Sequence, residues 1–183
     1  MASVLVPLAQ GCEELEAVTI IDLLRRAGID VTTAGLDEHP VHASRGVVLI
    51  PDTTLDEALK RDYDMVVLPG GLPGADHLDQ DPRIKTLLTK MSHDEKFIAA
   101  ICAAPKVLAS SGLLDNKRAT AYPGTLEKLN LQNTTLASEP VVKDGRVITS
   151  RGPGTAMDFA LTLIENLVDE EKRKEVEAGL VRP

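Results

Sequence analysis

Three short, unbroken apolar runs constrain this chain more than any other feature: Val4-Leu5-Val6, Met65-Val66-Val67-Leu68, and Phe97 through Ile101. A strand with one face in water alternates apolar and polar residues, whereas a strand covered on both faces reads as continuous apolar sequence. Each run leads into turn-forming or small residues and then into a helical pattern. Strand and helix in alternation predict an α/β fold with a mostly parallel sheet. Ligand sites in such sheets lie beyond the carboxyl ends of the strands. Chemistry is therefore expected in the loops over residues 10–14, 69–74, 102–105 and 151–154.

The intervening segments fit this reading. A helix is expected over residues 13–27, closed by Gly28, and a second strand over 31–34 with a turn at Gly35. Residues 39–44 and 47–50 read as a hairpin broken at Gly46, and 55–60 as a short helix. Asp81-Pro82 is a helix start, and Ile84, Leu87, Leu88 and Met91 then recur at helical spacing. A helix begins at Pro105. Val141-Val142 and Val147-Ile148 flank a Lys143-Asp144-Gly145 turn. Thr155 with Asp158 suggests a capping box opening a helix over 156–168, and the charged segment over 169–178 reads as a solvated helix.

The 183 residues suit one domain, spanning 1–183, with a core large enough to fold without staples. Aromatics amount to 2% of the chain, so the core must be aliphatic and a base-stacking surface is not available. Twenty basic against 28 acidic side chains give a formal charge of −8, which argues against nucleic acid or an anionic membrane as partner. No run approaches the roughly 18 apolar residues of a membrane span, and the first residues lack a basic leader, so a cytoplasmic protein is expected. The only cysteines, Cys12 and Cys102, call for no disulfide framework, and no CxxC or HExxH motif points to a metal.

The sharpest chemical signal is Ala99-Ala100-Ile101-Cys102-Ala103-Ala104-Pro105. A strand runs into a cysteine and at once into a helix, the layout of a nucleophile elbow, which needs small residues two before and two after the nucleophile. Ala100 and Ala104 satisfy this. The amides and helix dipole beyond the turn are expected to lower the thiol pKa; the competing reading is a buried structural cysteine. In Glu13-Glu14-Leu15-Glu16, the first two acids fit a helix-dipole role. Glu16 instead shares the apolar stripe of Ile20, Leu23, Leu24 and Ala27, so it should be buried, with a raised pKa suited to acid–base work. The amides of Pro69-Gly70-Gly71 either line an oxyanion hole or form a plain turn. Arg151-Gly152-Pro153-Gly154-Thr155 lacks the third glycine of a dinucleotide fingerprint, and there is no P-loop. None of His39, His42, His77 and His93 neighbours Cys102 in sequence, and Cys12 reads as a small loop residue.

Four segments together resemble the DJ/ThiJ/PfpI superfamily, nearest its parkinsonism-associated DJ branch: Gly11-Cys12-Glu13-Glu14-Leu15-Glu16, Val67-Leu68-Pro69-Gly70-Gly71, residues 99–105, and Ser150-Arg151-Gly152-Pro153-Gly154-Thr155. The resemblance spans essentially the whole chain. It implies a flavodoxin-like three-layer α/β sandwich with a mostly parallel central sheet and a nucleophile-elbow cysteine, assembled as a homodimer. It also implies that Cys102 is the oxidation-prone nucleophile, that Glu16 is its protonated hydrogen-bonding partner, and that Gly71 and Ala103 supply amides to the sulfur. Arg45 matches an arginine near the site at the dimer interface, with Glu13 an acidic neighbour. Tyr122 stands where the DJ branch often has a histidine; a tyrosine is no base at neutral pH without a large shift. The protease-like branch carries His directly after the cysteine; Ala103 there counts against a peptidase or amidase.

The resemblance implies a cofactor-independent enzyme of 2-oxoaldehydes, converting methylglyoxal to lactate without glutathione, or removing early glycation adducts from proteins. The alternative is an oxidative-stress sensor or redox-regulated chaperone in which Cys102 is oxidised to sulfinate.

Overall fold

The computed structural model describes residues 1–183. The first half runs β1 (Ser3–Leu8), α1 (Glu14–Arg26), β2 (Asp30–Gly35), β3 (Val41–His42), β4 (Val48–Leu49), β5 (Thr53–Thr54), α2 (Leu55–Ala58), β6 (Met65–Leu68), α3 (Gly74–Gln80) and α4 (Pro82–His93). The second runs β7 (Phe97–Ile101), α5 (Pro105–Ser110), β8 (Arg118–Ala119), β9 (Thr135–Leu136), β10 (Val141–Asp144), β11 (Val147–Ser150), α6 (Ala156–Leu167) and α7 (Glu170–Gly179). Seven strands form one sheet in the order β10-β11-β7-β6-β1-β2-β5, parallel except for the β10–β11 hairpin. This is the expected flavodoxin-like α/β fold. No helix is long and apolar enough to cross a membrane.

The apolar runs are explained by two cores. Val4, Val6 and Leu8 of β1, Met65 and Val67 of β6, and Ala99 and Ile101 of β7 face α1 and α6. Leu5, Val66, Leu68, Ile98 and Ala100 point to the opposite face, toward α2, α3, α4 and α5. Successive strand side chains alternate faces, and helices cover both, so neither parity can be polar. Burying a Val, Leu or Ile side chain stabilises by about 1.5–3 kcal/mol, and the central strands β1, β6 and β7 are buried along almost their whole length. The sheet's carboxyl edge, where Cys102 follows β7, is thereby a rigid platform.

Several sequence expectations are corrected. Helix α3 has no helical signature in the sequence: Ala75 and Leu78 are its only buried apolar side chains, too few to show a helical period among Gly74, Asp76, Asp79 and Gln80. Strands β5, β8 and β9 also escape a pattern search because each has two residues. Thr155 does not cap α6 with its side chain. A 3₁₀ turn at Pro153–Thr155 precedes the helix, and the Thr155 hydroxyl turns back to accept from the Gly152 N–H at 3.1 Å and pair with Ser150 Oγ at 2.7 Å. Helix α7 is not wholly solvated. It buries Val176 in the core and bridges to α6 through Arg173 and Glu165 at 3.0 Å.

Candidate active site

Cys102 sits at the junction of β7 and the turn into α5, with φ of +64°. A side-chain-bearing residue there is strained, by about 1–3 kcal/mol, and persists only where its surroundings hold it. They do: the Cys102 N–H donates to Ser150 O at 3.0 Å, and its carbonyl accepts from the Tyr122 N–H at 2.8 Å. The flanking Ala100 and Ala104 are fully buried, as the tight turn requires. The result is an almost buried thiol, 8% exposed, displayed at the carboxyl edge of the sheet.

Glu16 is brought to this thiol by α1. Glu13 caps that helix, its Oε2 accepting from the Glu16 N–H at 2.9 Å. The Glu16 side chain is wholly buried, and its Oε2 accepts from the Gly70 N–H at 2.9 Å. Its Oε1 has no N–H or O–H partner. A buried carboxylate oxygen with no N–H or O–H donor is poorly compensated, which favours the protonated acid. Burial, reinforced by the charge of Glu13, pushes the Glu16 carboxyl up to about 7, against the opposing pull of hydrogen bonds with Cys102 and the Gly70 N–H. The expected buried acid is therefore in place.

The Cys102 thiol departs from expectation. Burial, then the charge of Glu16 and its hydrogen bond, push it up to about 12, outweighing the Gly71 and Ala103 N–H groups that favour the thiolate. Helix α5 has only six residues, and its dipole does not prevail over desolvation. Two anions in contact in this buried space are disfavoured, so the ionised Glu16 carboxylate holds the proton on the thiol. Cys12 is 1% exposed and is also pushed up to about 12, by burial and then by Glu14, Glu13 and Glu16. Both thiols are free.

Two residues hold the site in ways other than their sequence readings, Gly70 as part of a candidate oxyanion turn and Glu14 as a helix-dipole acid. A Cβ on Gly70 would lie 2.6 Å from Cys102 Cβ and 2.8 Å from Glu16 Oε2, so only glycine lets β6's end approach both groups. Gly70 also accepts from the Glu13 N–H at 2.9 Å. Gly71 has φ of +90°, and a Cβ there would meet the Glu13 nitrogen at 2.4 Å. Glu14 is the second such residue. Its carboxylate accepts from the Arg45 N–H at 2.8 Å, the Ser44 hydroxyl at 3.1 Å and the Val47 N–H at 3.4 Å. Burial opposes its charge, yet these bonds together hold it below the usual carboxylate range. Glu14 thus positions the Arg45 turn, beyond the helix-dipole role read from sequence, and leaves the Arg45 side chain exposed.

Tyr122 contributes its backbone to Cys102, while its side chain is 53% exposed and lies against Gly152. His77 is tied through Nδ1 to Gln10 O at 2.9 Å. No three His, Cys, Asp or Glu side chains converge as a metal-binding group. Neither Cys102 nor Glu16 lines the clefts at residues 8–82, 59–91, 2–167, 119–151 or 8–52.

The chain is 46% identical over 180 residues to the Danio rerio Parkinson disease protein 7 homolog, covering 97% of this chain and 95% of that one. It is 36% identical to the Caenorhabditis elegans glutathione-independent glyoxalase DJR-1.2, over 93% of this chain and 90% of that one. The crystal structure of Drosophila melanogaster DJ-1beta superposes with a TM-score of 0.95 at 45% identity, covering 100% and 98% of the two chains. The DJ-1/PfpI family model matches residues 2–166, from the first strand through the elbow and nearly to the end of α6, and the chain belongs to that family.

Proposed function

We propose that the protein converts 2-oxoaldehydes such as methylglyoxal to 2-hydroxy acids, without a cofactor. The observation that carries this reading is the pairing of a strained, nearly buried Cys102 with a wholly buried Glu16 whose carboxyl titrates near neutrality. The kinship with a protein named a glyoxalase supports it.

The steps balance within one substrate and one water. Cys102 Sγ bonds to the aldehyde carbon, its proton passing to the Glu16 carboxylate and on to the new oxygen, giving a hemithioacetal. The amides of Gly71 and Ala103 stabilise the developing oxyanion. Glu16 then takes the proton from the former aldehyde carbon. It returns a proton to the neighbouring carbon, so the ketone becomes an alcohol while the first carbon becomes a thioester. Water adds to the thioester, the C–S bond breaks, and lactate leaves with the thiol restored. The aldehyde carbon is oxidised and the ketone carbon reduced, so no outside oxidant is needed. An early glycation adduct enters the same sequence once the protein's amine or thiol leaves the former aldehyde carbon, regenerating the aldehyde that Cys102 attacks.

Exposed apolar side chains on α1 (Leu15, 51%; Val18, 46%) and on and beside the β3–β4 hairpin (Val48, 50%; Ile50, 83%) support a homodimer that covers this face. Arg45 lies on the same hairpin. Light scattering on the purified protein measures the assembly. The activity is tested by lactate formation from methylglyoxal with wild type, Cys102→Ser and Glu16→Gln. Full turnover in Cys102→Ser would overturn the reading. The second reading, a redox sensor, is favoured by the Gly71 and Ala103 amides at the sulfur, which can hold a sulfinate by hydrogen bonds.

A further inference from the structure

A cleft of about 360 Å³ opens behind Tyr122, between the β8 and β9 segments and the loop after β11. Its volume falls within the range of small-molecule sites. The backbone groups of Cys102 are bound to two of its walls: Tyr122 N–H, flanked by the lining residues Ala121 and Pro123, and Ser150 O, next to the lining residue Arg151.

The lining is amphipathic in a particular way. Arg151 is half-buried, with Nη1 donating to Ser138 O at 3.0 Å. Glu127 lines the same cleft and lies within electrostatic reach of Arg151. The two do not close to a salt bridge, although 19 other ion contacts in this chain do. Nearby backbone amides and the Arg151 charge keep Glu127 ionised. Thr120 packs behind this lining, 1% exposed, with its hydroxyl oxygen buried out of the cleft. Leu126, Leu136 and Pro123 complete the walls. One cation, one anion held apart from it and apolar side chains between them describe the complement of a zwitterion with an aliphatic tail. A lone anion meets Glu127, and a lone cation meets Arg151; only a ligand with both charges satisfies both.

We propose that this cleft binds an aliphatic α-amino acid, its carboxylate on Arg151, its ammonium on Glu127, and its side chain against Leu126 and Leu136. The inference stands apart from the Cys102 chemistry.

The test is a titration of the ¹⁵N-labelled full chain with L-leucine, beside two half-ligands, 4-methylpentanoate (no ammonium) and isoamylamine (no carboxylate). Losing one charge-assisted contact of about 1.5 kcal/mol or more costs roughly tenfold in affinity. The expected result is saturable shifts of the Ala121, Glu127, Leu136 and Arg151 amides. L-Leucine should bind about tenfold or more tightly than either half-ligand. Arg151→Gln and Glu127→Gln, both folded by circular dichroism, should each lose a similar factor, and Cys102→Ser should bind as wild type does. Absence of saturable shifts at these amides, equal binding of a half-ligand, or unchanged affinity in both charge variants overturns the proposal. None of these outcomes bears on methylglyoxal turnover, so the two readings fail separately.

Discussion

The Gly70 N–H donates to Glu16 Oε2 at 2.9 Å, and a Cβ placed on Gly70 would sit 2.6 Å from Cys102 Cβ. One glycine therefore spaces the acid from the nucleophile, binding the first with its backbone and touching the second with its α-carbon. Gly70→Ala forces a shift at a packed centre and should destabilise by about 1–3 kcal/mol, with turnover falling further than stability. Gly154→Ala is the control, since an added Cβ there meets nothing within 4 Å; it should stay within about 0.5 kcal/mol of wild type. Chemical denaturation of both variants checks this.

Glu16→Gln should lower the pH at which the Cys102 thiol ionises, because the carboxylate whose charge and hydrogen bond push it up is gone. It should also reduce turnover by about 10²-fold or more, as proton transfer between the substrate carbons loses its carrier. Alkylation rate against pH, followed at Cys102 by mass spectrometry, reads the first effect, and lactate production the second. An unshifted alkylation profile would show that Glu16 does not govern the thiol.

The Glu16 carboxyl also predicts a pH dependence of stability. Its folded pKa of about 7 lies above the ordinary 4.5, so between these values the folded state binds more protons than the unfolded one. Stability conferred by Glu16 is greatest at and below pH 4.5 and declines as pH rises to about 7, by about 3 kcal/mol in all. Other carboxylates, such as Glu14 and Asp64, are shifted downward and act in the opposite sense at lower pH. The informative quantity is therefore the difference between wild type and Glu16→Gln. Urea unfolding at pH 5 and pH 8 should show that difference changing in favour of the variant at the higher pH.

Glu14→Gln replaces an acceptor that binds the Arg45 and Val47 N–H groups. A charge-assisted acceptor exchanged for a neutral amide should cost about 1–3 kcal/mol. The loss should be local, with faster hydrogen exchange at the Arg45 and Val47 amides than at β1 or β7. Uniform protection across the chain would place the turn's stability elsewhere.

Mild peroxide should distinguish the thiols. Cys102 is 8% exposed and has two amides directed at its sulfur, whereas Cys12 is 1% exposed. Mass spectrometry should find sulfinate at Cys102 first; oxidation of Cys12 ahead of it would reverse the assignment.

The strand-to-helix elbow at Cys102 and the inward placement of Glu16 were legible without coordinates, because both follow from local pattern. Small residues two before and two after a cysteine mark a tight turn, and a lone acid on an apolar helical stripe must face the core. The apolar runs of β1, β6 and β7 likewise fix a sheet covered on both sides, since strand parity leaves no polar face. Helix α3 was not legible, with only Ala75 and Leu78 buried along it. Nor was the cap of α6, where the Thr155 hydroxyl joins Ser150 and Gly152.

What tertiary structure alone decided is the electrostatic balance of the site. From sequence, the elbow's amides and helix dipole argue for a lowered thiol pKa. In the fold, desolvation and the adjoining Glu16 raise it. The role of Glu14 in holding the Arg45 turn, and the need for glycine at position 70, arise from contacts between segments 31 and 54 positions apart. Local pattern reports which face a side chain takes. Burial depth, and which distant group meets it there, depend on the packing of the whole chain.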